Sequence, residues 1–195
     1  MTEVASRPGM ILGVGRFYHD PRGSVRAVKA GHPKESTLLA WLMIGLLILL
    51  VGRLVALSST VPSESPDFLP QAGAAVFGLI FLAPLLWYLL AAFTTLAAWL
   101  FRGRGGWRDG RLAVFWATLV SAPILAISEV GAGQAAGFGK PVATAVAQIG
   151  PVFFAWALAQ CLTEAFGFTR AWVVFAVIAL LVLALVAVPL YTMSR

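Results

Sequence analysis

The chain has 195 residues, of which 60% are hydrophobic and only 11% are charged, and its formal net charge is +6. An ordinary globular domain carries about 25% charged residues, so this composition excludes a soluble protein. The positive charge does not indicate nucleic acid, because the basic residues lie beside long apolar runs. We therefore expect an integral membrane protein whose partners are the lipid bilayer and its anionic lipid headgroups.

Residues 1–36 form a polar, basic leader, which we expect to be cytoplasmic and separate from a membrane domain at 37–195. Asp20 suits the N-cap of a short helix that starts at Pro21 and ends near Gly31. This helix either lies at the membrane surface with its cations on anionic headgroups, or belongs to a partly disordered leader that only sets topology. Its cations share one face: Arg22, Arg26 and Lys29.

Apolar runs of about 20 residues match the thickness of a bilayer, and five such runs follow the leader. The second run is longer than a bilayer requires, and we predict one long helix kinked at Pro84, because no polar turn interrupts it. Connections are expected at 58–70, 131–140 (rich in glycine) and 163–170. The predicted spans are residues 37–57, 72–100, 112–130, 142–162 and 171–193.

The stretch from Phe101 to Arg111 determines the predicted orientation, because an arginine-rich loop between apolar runs is typical of the cytoplasmic side. It contains Arg102, Arg104, Arg108 and Arg111. With the N-terminus inside, the cytoplasmic segments hold six basic residues in the leader, these four and Arg170. The opposite side then holds only Lys140 and Arg195. We predict an all-α polytopic bundle of five spans, with a cytoplasmic N-terminus and the C-terminus on the opposite side.

Two charges lie at the edge of predicted spans, Arg53 and Glu129. They lie at similar depth, near the non-cytoplasmic interface. One hypothesis is an intramembrane ion pair; the other, favoured by their distance from the midplane, is that each side chain snorkels separately to the headgroups. The residues expected to contact lipid headgroups are Arg22, Arg26, Lys29, Arg102, Arg104, Arg108 and Arg111.

No pattern for catalysis, a cofactor or a metal occurs in the sequence. Both histidines, His19 and His32, lie in the leader without a cysteine nearby, and motifs such as Gly-x-Ser-x-Gly and His-Glu-x-x-His are missing. We therefore predict that the protein is not an enzyme and has no cofactor. The composition, rich in arginine and alanine, is typical of a GC-rich bacterial genome, so we expect the bacterial cytoplasmic (inner) membrane.

The last four spans each carry a proline, and proline kinks occur in transporters and channels. A small permease or channel is therefore the alternative function. Small residues also recur four apart, as in Ala143 with Ala147 and Ala155 with Ala159. Such faces permit close helix packing, either within the bundle or with a second copy or another membrane protein. Packing within the bundle is the favoured interpretation.

Three stretches resemble the Yip family, the Ypt/Rab-interacting membrane proteins with a five-span domain. The stretch from Leu162 to Val174 resembles the turn before their last span. Asp20-Pro21-Arg22 through Pro33-Lys34-Glu35 is similar to the leader of bacterial members. The central loop and third span are similar at Gly105, Gly106, Trp107, Arg111, Phe115, Trp116 and Pro123. The resemblance covers residues 17 to 193.

This resemblance implies a five-span bundle with a cytosolic N-terminus. For eukaryotic members it also implies a role in membrane traffic, through small GTPases and partner Yip proteins. The leader here lacks their Asp-Leu-Tyr-Gly-Pro type motif, which argues against GTPase binding. We therefore expect a non-enzymatic membrane protein of the scaffold, shaping or trafficking-interaction type.

Overall fold

The computed structural model describes residues 10–179, and among these every regular element is helical. Two short helices precede the membrane domain, and the longer ones follow in the order the hydropathy predicts. A last helical stretch, residues 171–179, follows α7. The helices are α1 (Met10–His19), α2 (Pro21–Ala30), α3 (Glu35–Thr60), α4 (Phe68–Phe77), α5 (Ala83–Leu100), α6 (Trp107–Ala135) and α7 (Lys140–Phe166).

Within residues 10–179, four helical stretches are long and apolar enough to cross a membrane. They are Glu35–Thr60, Phe68–Leu100, Trp107–Phe138 and Lys140–Phe166. The protein is therefore an all-helical integral membrane protein. Most of the fifth predicted span, 171–193, lies outside the described residues, as does the C-terminus whose side was predicted.

The second span, Phe68–Leu100, is one continuous helical stretch. A π-helical turn, Gly78–Leu82, joins α4 to α5 immediately before Pro84. Proline has no amide hydrogen, and its ring crowds the carbonyl four residues earlier. In the wider turn the amide of Ala83 donates to the carbonyl of Gly78, five residues back, which gives the proline room.

The connections are shorter than the sequence indicated. The glycine-rich stretch predicted as a connection is helical from 131 to 135, because α6 continues to Ala135. Glycine costs a helix only about 1 kcal/mol relative to alanine, and packing against neighbouring helices offsets that cost. The chain reverses at Gly139, whose φ of 103° suits glycine, and α7 begins at once. The predicted turn at 163–170 is also wrong in its first half, because α7 runs to Phe166 and is capped by Gly167 with φ 73°.

The predicted arginine-rich loop is likewise shorter than expected, because α6 begins at Trp107. Only Arg102 and Arg104 lie in the connection, whereas Arg108 and Arg111 lie in the first turns of α6. Asp109 explains the early start, since its carboxylate accepts the amide of Gly106 at 2.9 Å and so caps the helix.

Helix α6 is the centre of the bundle and is buried on nearly every side between Leu112 and Ala122. It packs closely against α3, where the contact is made by glycines. A Cβ on Gly45 would lie 3.3 Å from Leu119 Cα, and one on Gly52 would lie 2.8 Å from Ala126 Cα. Small residues thus bring the two backbones together, as membrane helices commonly require.

Residues 35–166 cross the bundle four times, so α3 and α6 run in the same direction. We call the end where α3 and α6 begin and α5 and α7 finish the basic end, because the cations of α2 and of the 101–106 connection lie there. The opposite end, where α3 and α6 finish, is the far end.

Candidate functional sites at the two ends of the bundle

The helices α1 and α2, here called the N-terminal pair, pack into the bundle. Phe17 and Val25 are fully buried, and the Phe17 ring meets Trp156 of α7 edge-on at 6.0 Å. The hydroxyl of Ser24 donates to the carbonyl of Gly13 at 2.8 Å, which ties α2 to α1. Residues 10–30 of the leader therefore form two helices that pack against the spans.

Tyr18 shows how far the N-terminal pair reaches along the bundle. Its hydroxyl donates to the carbonyl of Val120 on α6 at 2.6 Å, and its ring stacks on Phe153 of α7 at 6.0 Å. Val120 is nine residues beyond Arg111, or about 14 Å along the helix axis. The N-terminal pair thus lies beside the basic-end half of the spans.

The predicted N-cap of α2 is present, since the Asp20 carboxylate accepts the amide of Gly23 at 2.9 Å. The cations of this helix, however, contact protein. Arg26 Nε lies 2.9 Å from Glu164 Oε1 of α7, and this hydrogen bond and the negative charge raise the pKa of Arg26. Lys29 Nζ lies 3.3 Å from Asp109 Oδ1 of α6.

Two further bonds complete this contact. Lys29 also donates to the carbonyl of Ala165 at 2.6 Å, and Arg22 Nε donates to Gln160 Oε1 at 3.4 Å. All three cations that were expected to face lipid headgroups therefore have acceptors on α6 or α7.

Two of the central arginines also contact protein. Arg108 donates to the carbonyl of Pro33. Arg111 Nε lies 2.9 Å from Glu35 Oε1 of α3, in ion-pair contact although misaligned for a hydrogen bond. Arg102 and Arg104 are exposed, and their side chains form no ion pair with any residue from 10 to 179.

At the far end, the structure brings Arg53 and Glu129 together. Arg53 Nη1 donates to Glu129 Oε1 at 2.7 Å, and the two side chains are 52% and 35% exposed. A pocket of about 310 Å³ adjoins the pair and is lined by residues of α3, α6 and the second span. Besides the pair, it is lined by Leu49, Ala74, Ala75, Gly78 and Leu79.

The spacing of charges in the sequence indicates both ion pairs between α3 and α6, of which only Arg53–Glu129 was among the hypotheses drawn from it. Arg53 follows Glu35 by 18 residues, and Glu129 follows Arg111 by 18 residues, with the signs reversed. Eighteen residues of helix span about 27 Å, so two parallel helices with these charges can pair at both ends at once. A second matched spacing joins α2 to α7, since Arg22 and Arg26 are four residues apart and so are their acceptors Gln160 and Glu164.

The chemistry of both ends is ionic and hydrogen-bonding. Among residues 10–179 no group of three histidine, cysteine or acidic side chains is placed to hold a metal ion.

The family model of the Yip1 domain matches residues 16–191. No curated protein and no solved structure matches the chain.

Proposed function

This chain belongs to the Yip1 domain family, and we propose that it is a non-enzymatic scaffold that shapes the membrane and holds other membrane proteins. Members of this family are not known to be enzymes. The protein contacts the lipid bilayer along its apolar spans. The observation that carries the proposal is the N-terminal pair, which adds helical volume beside only one half of the spans.

The free side of α1 is suited to lipid. Ile11 and Leu12 are 82% and 71% exposed, while Phe17 and Tyr18 anchor the same helix to α6 and α7. A helix that lies in one leaflet and not the other enlarges that leaflet, and it buries apolar area there as interfacial helices do. With the N-terminus in the cytoplasm, the enlarged leaflet is the cytoplasmic one.

The basic end supports a second contact with lipid. Arg102 and Arg104 are exposed on the 101–106 connection, where each cation contributes about 1 kcal/mol of attraction to an anionic leaflet. Five more cations add to the positive electrostatic potential at this end, although their nearest partners are protein groups: Arg22, Arg26, Lys29, Arg108 and Arg111. A second copy or another membrane protein would bind through the lipid-facing helix surfaces, and the missing leader motif argues against a small GTPase.

The proposed orientation places the basic end in the cytoplasm of a bacterial inner membrane, with five spans and the C-terminus outside. Single cysteines test it, because Cys161 is the one native cysteine and is buried. We expect Ser63→Cys, in the far-end connection, to react with an impermeant maleimide on intact cells. Arg104→Cys should react only after the cells are permeabilised. The reverse pattern would overturn the orientation.

Reconstitution tests the shaping activity. Purified protein in vesicles should produce tubules or small vesicles visible by electron microscopy, and Ile11→Ser with Leu12→Ser should abolish this while leaving the melting temperature unchanged. Ala30→Ser, on the exposed surface of α2, is the matched control and should behave like the native protein. Vesicle shape that does not respond to Ile11 and Leu12 would refute the proposal.

A flux measurement on the same vesicles tests the alternative of a small permease or channel. Its structural support is Pro123 inside α6 and Pro151 inside α7. We expect no solute flux above that of empty vesicles. Flux that persists when tubule formation is lost would favour transport over scaffolding.

A further inference from the structure

The far-end ion pair lies at the level where lipid headgroups are expected. It is 18 residues from the Glu35–Arg111 pair along both α3 and α6, which corresponds to about 27 Å. The hydrocarbon core of a bilayer is about 30 Å thick. The two ion pairs therefore lie near the two boundaries of the hydrocarbon, and Arg53 and Glu129 face the headgroup region.

The pair leaves hydrogen-bonding capacity unused. It joins one guanidinium nitrogen to one carboxylate oxygen, and both side chains are partly exposed. Arginine has five N–H donors and a carboxylate has two acceptor oxygens. Among residues 10–179, the second oxygen of Glu129 accepts no hydrogen bond. A cationic and an anionic surface therefore lie side by side at the mouth of the pocket.

The pocket continues from this charged mouth into an apolar floor. Leu49 precedes Arg53 by one helical turn on α3, and Leu79 lies in the π-helical turn of the second span. The second span lines the pocket with three small residues, Ala74, Ala75 and Gly78, whose side chains fill little of it. A Cβ added to Gly78 would meet no atom within 4 Å. The polarity thus changes along the pocket in the same order as along a phospholipid.

We propose that this pocket binds a phospholipid whose headgroup carries a phosphate and a primary ammonium, as in phosphatidylethanolamine. The phosphate contacts the unused donors of Arg53, the ammonium donates to Glu129, and the start of an acyl chain lies against Leu49 and Leu79. A quaternary ammonium has no N–H to donate, and a glycerol headgroup has no cation. This site stands apart from the N-terminal pair on which the scaffold function rests.

Lipid binding to the full-length protein in detergent tests the proposal, with native mass spectrometry and thermal melting as readouts. The probes are phosphatidylethanolamine, phosphatidylcholine and phosphatidylglycerol at equal concentration. One charge-assisted hydrogen bond changes affinity by about tenfold or more. We therefore expect about tenfold tighter binding of phosphatidylethanolamine than of either other lipid. Equal binding of the three would overturn the assignment.

Filling the pocket separates this site from general lipid contact. Gly78→Leu should abolish the preference, whereas Gly73→Leu should keep it, because Gly73 also has open space beside it but does not line the pocket. If Gly78→Leu does not fold, Ala74→Leu fills the same pocket. If a folded variant with a filled pocket still prefers phosphatidylethanolamine, the proposal is wrong.

Charge substitutions then test the two roles. Glu129→Gln should remove the preference for phosphatidylethanolamine over phosphatidylglycerol. Arg53→Gln should lower the affinity for all three lipids. Arg16→Gln is the matched control, because Arg16 is also ion-paired and its side chain is 53% exposed. Soluble phosphoethanolamine should not compete at the same concentration. If it does, the pocket binds a small molecule and the lipid assignment is wrong.

Discussion

One ion pair joins the parallel helices α3 and α6 at the basic end, and another joins them at the far end. The surroundings of the two pairs differ. At the basic end, Glu35–Arg111 belongs to a wider set of contacts that hold the N-terminal pair. At the far end, Arg53–Glu129 stands beside an open pocket. Both pairs are partly exposed, so the two ends differ in what lies beside the pair: further protein groups at the basic end, and an open pocket at the far end.

The two pairs also differ in how the backbone supports them. Gly52 brings α3 against Ala126 immediately before Arg53, so the far-end pair follows directly from close helix packing. At the basic end the supporting contacts come from another part of the chain, since Lys29 reaches Asp109 and Arg108 reaches the carbonyl of Pro33. Each end can therefore be disturbed separately.

Removing the anchor of the N-terminal pair should produce the largest change. Phe17→Ala deletes a fully buried ring, which costs about 3 kcal/mol, and the amides of α1 and α2 should lose about 100-fold of their hydrogen-exchange protection. The far-end helices should keep theirs. Ile11→Ala, on the free side of α1, is the control and should change little. Equal loss of protection at both ends would show that the two regions are not independent.

Separating α3 from α6 at the far end should have the next largest effect. Gly52→Val places a branched side chain against the backbone of Ala126 and should cost about 2 kcal/mol by overpacking. Gly73→Val enters open space and serves as the control. Unfolding in mixed detergent measures both. Similar stability of the two variants would mean that the α3–α6 contact is looser than the distances indicate.

The smallest effect is expected from two matched double-mutant cycles. Substituting alanine for Arg53 and Glu129, singly and together, should give a coupling of about 0.5 kcal/mol or more, as for groups in contact. The cycle on Glu35 and Arg111 should give a similar value, because that pair is also partly exposed. Additive losses at the far end would favour separate snorkelling of the two side chains.

The sequence predicted the helices well because their causes are local. Apolar runs of bilayer length placed the first span at 37–57, and the structure has Glu35–Thr60. The N-cap at Asp20 and the start of α2 at Pro21 were correct because capping depends on adjacent residues. The Yip family resemblance, read from short stretches, is confirmed by the match over 16–191.

The lengths of the turns could not be predicted from local signals. Glycines at 131 and 133 suggested a loop, yet Gly131 lies against Val146 of α7 inside a continuous helix. A glycine that breaks a helix and a glycine that lets a neighbour approach look the same in a sequence. The neighbouring helix decides between them, because burial of its side chains offsets the weak helix propensity.

The partners of the charges were decided by tertiary structure alone. The sequence determined that Arg26 and Lys29 lie on one face of α2, but α7 supplies Glu164 and the start of α6 supplies Asp109. An ion pair needs its atoms within about 4 Å, and that distance depends on how each helix is rotated and how closely it packs. Glycines such as Gly52 set this closeness between segments more than 70 residues apart, beyond the range of any local pattern.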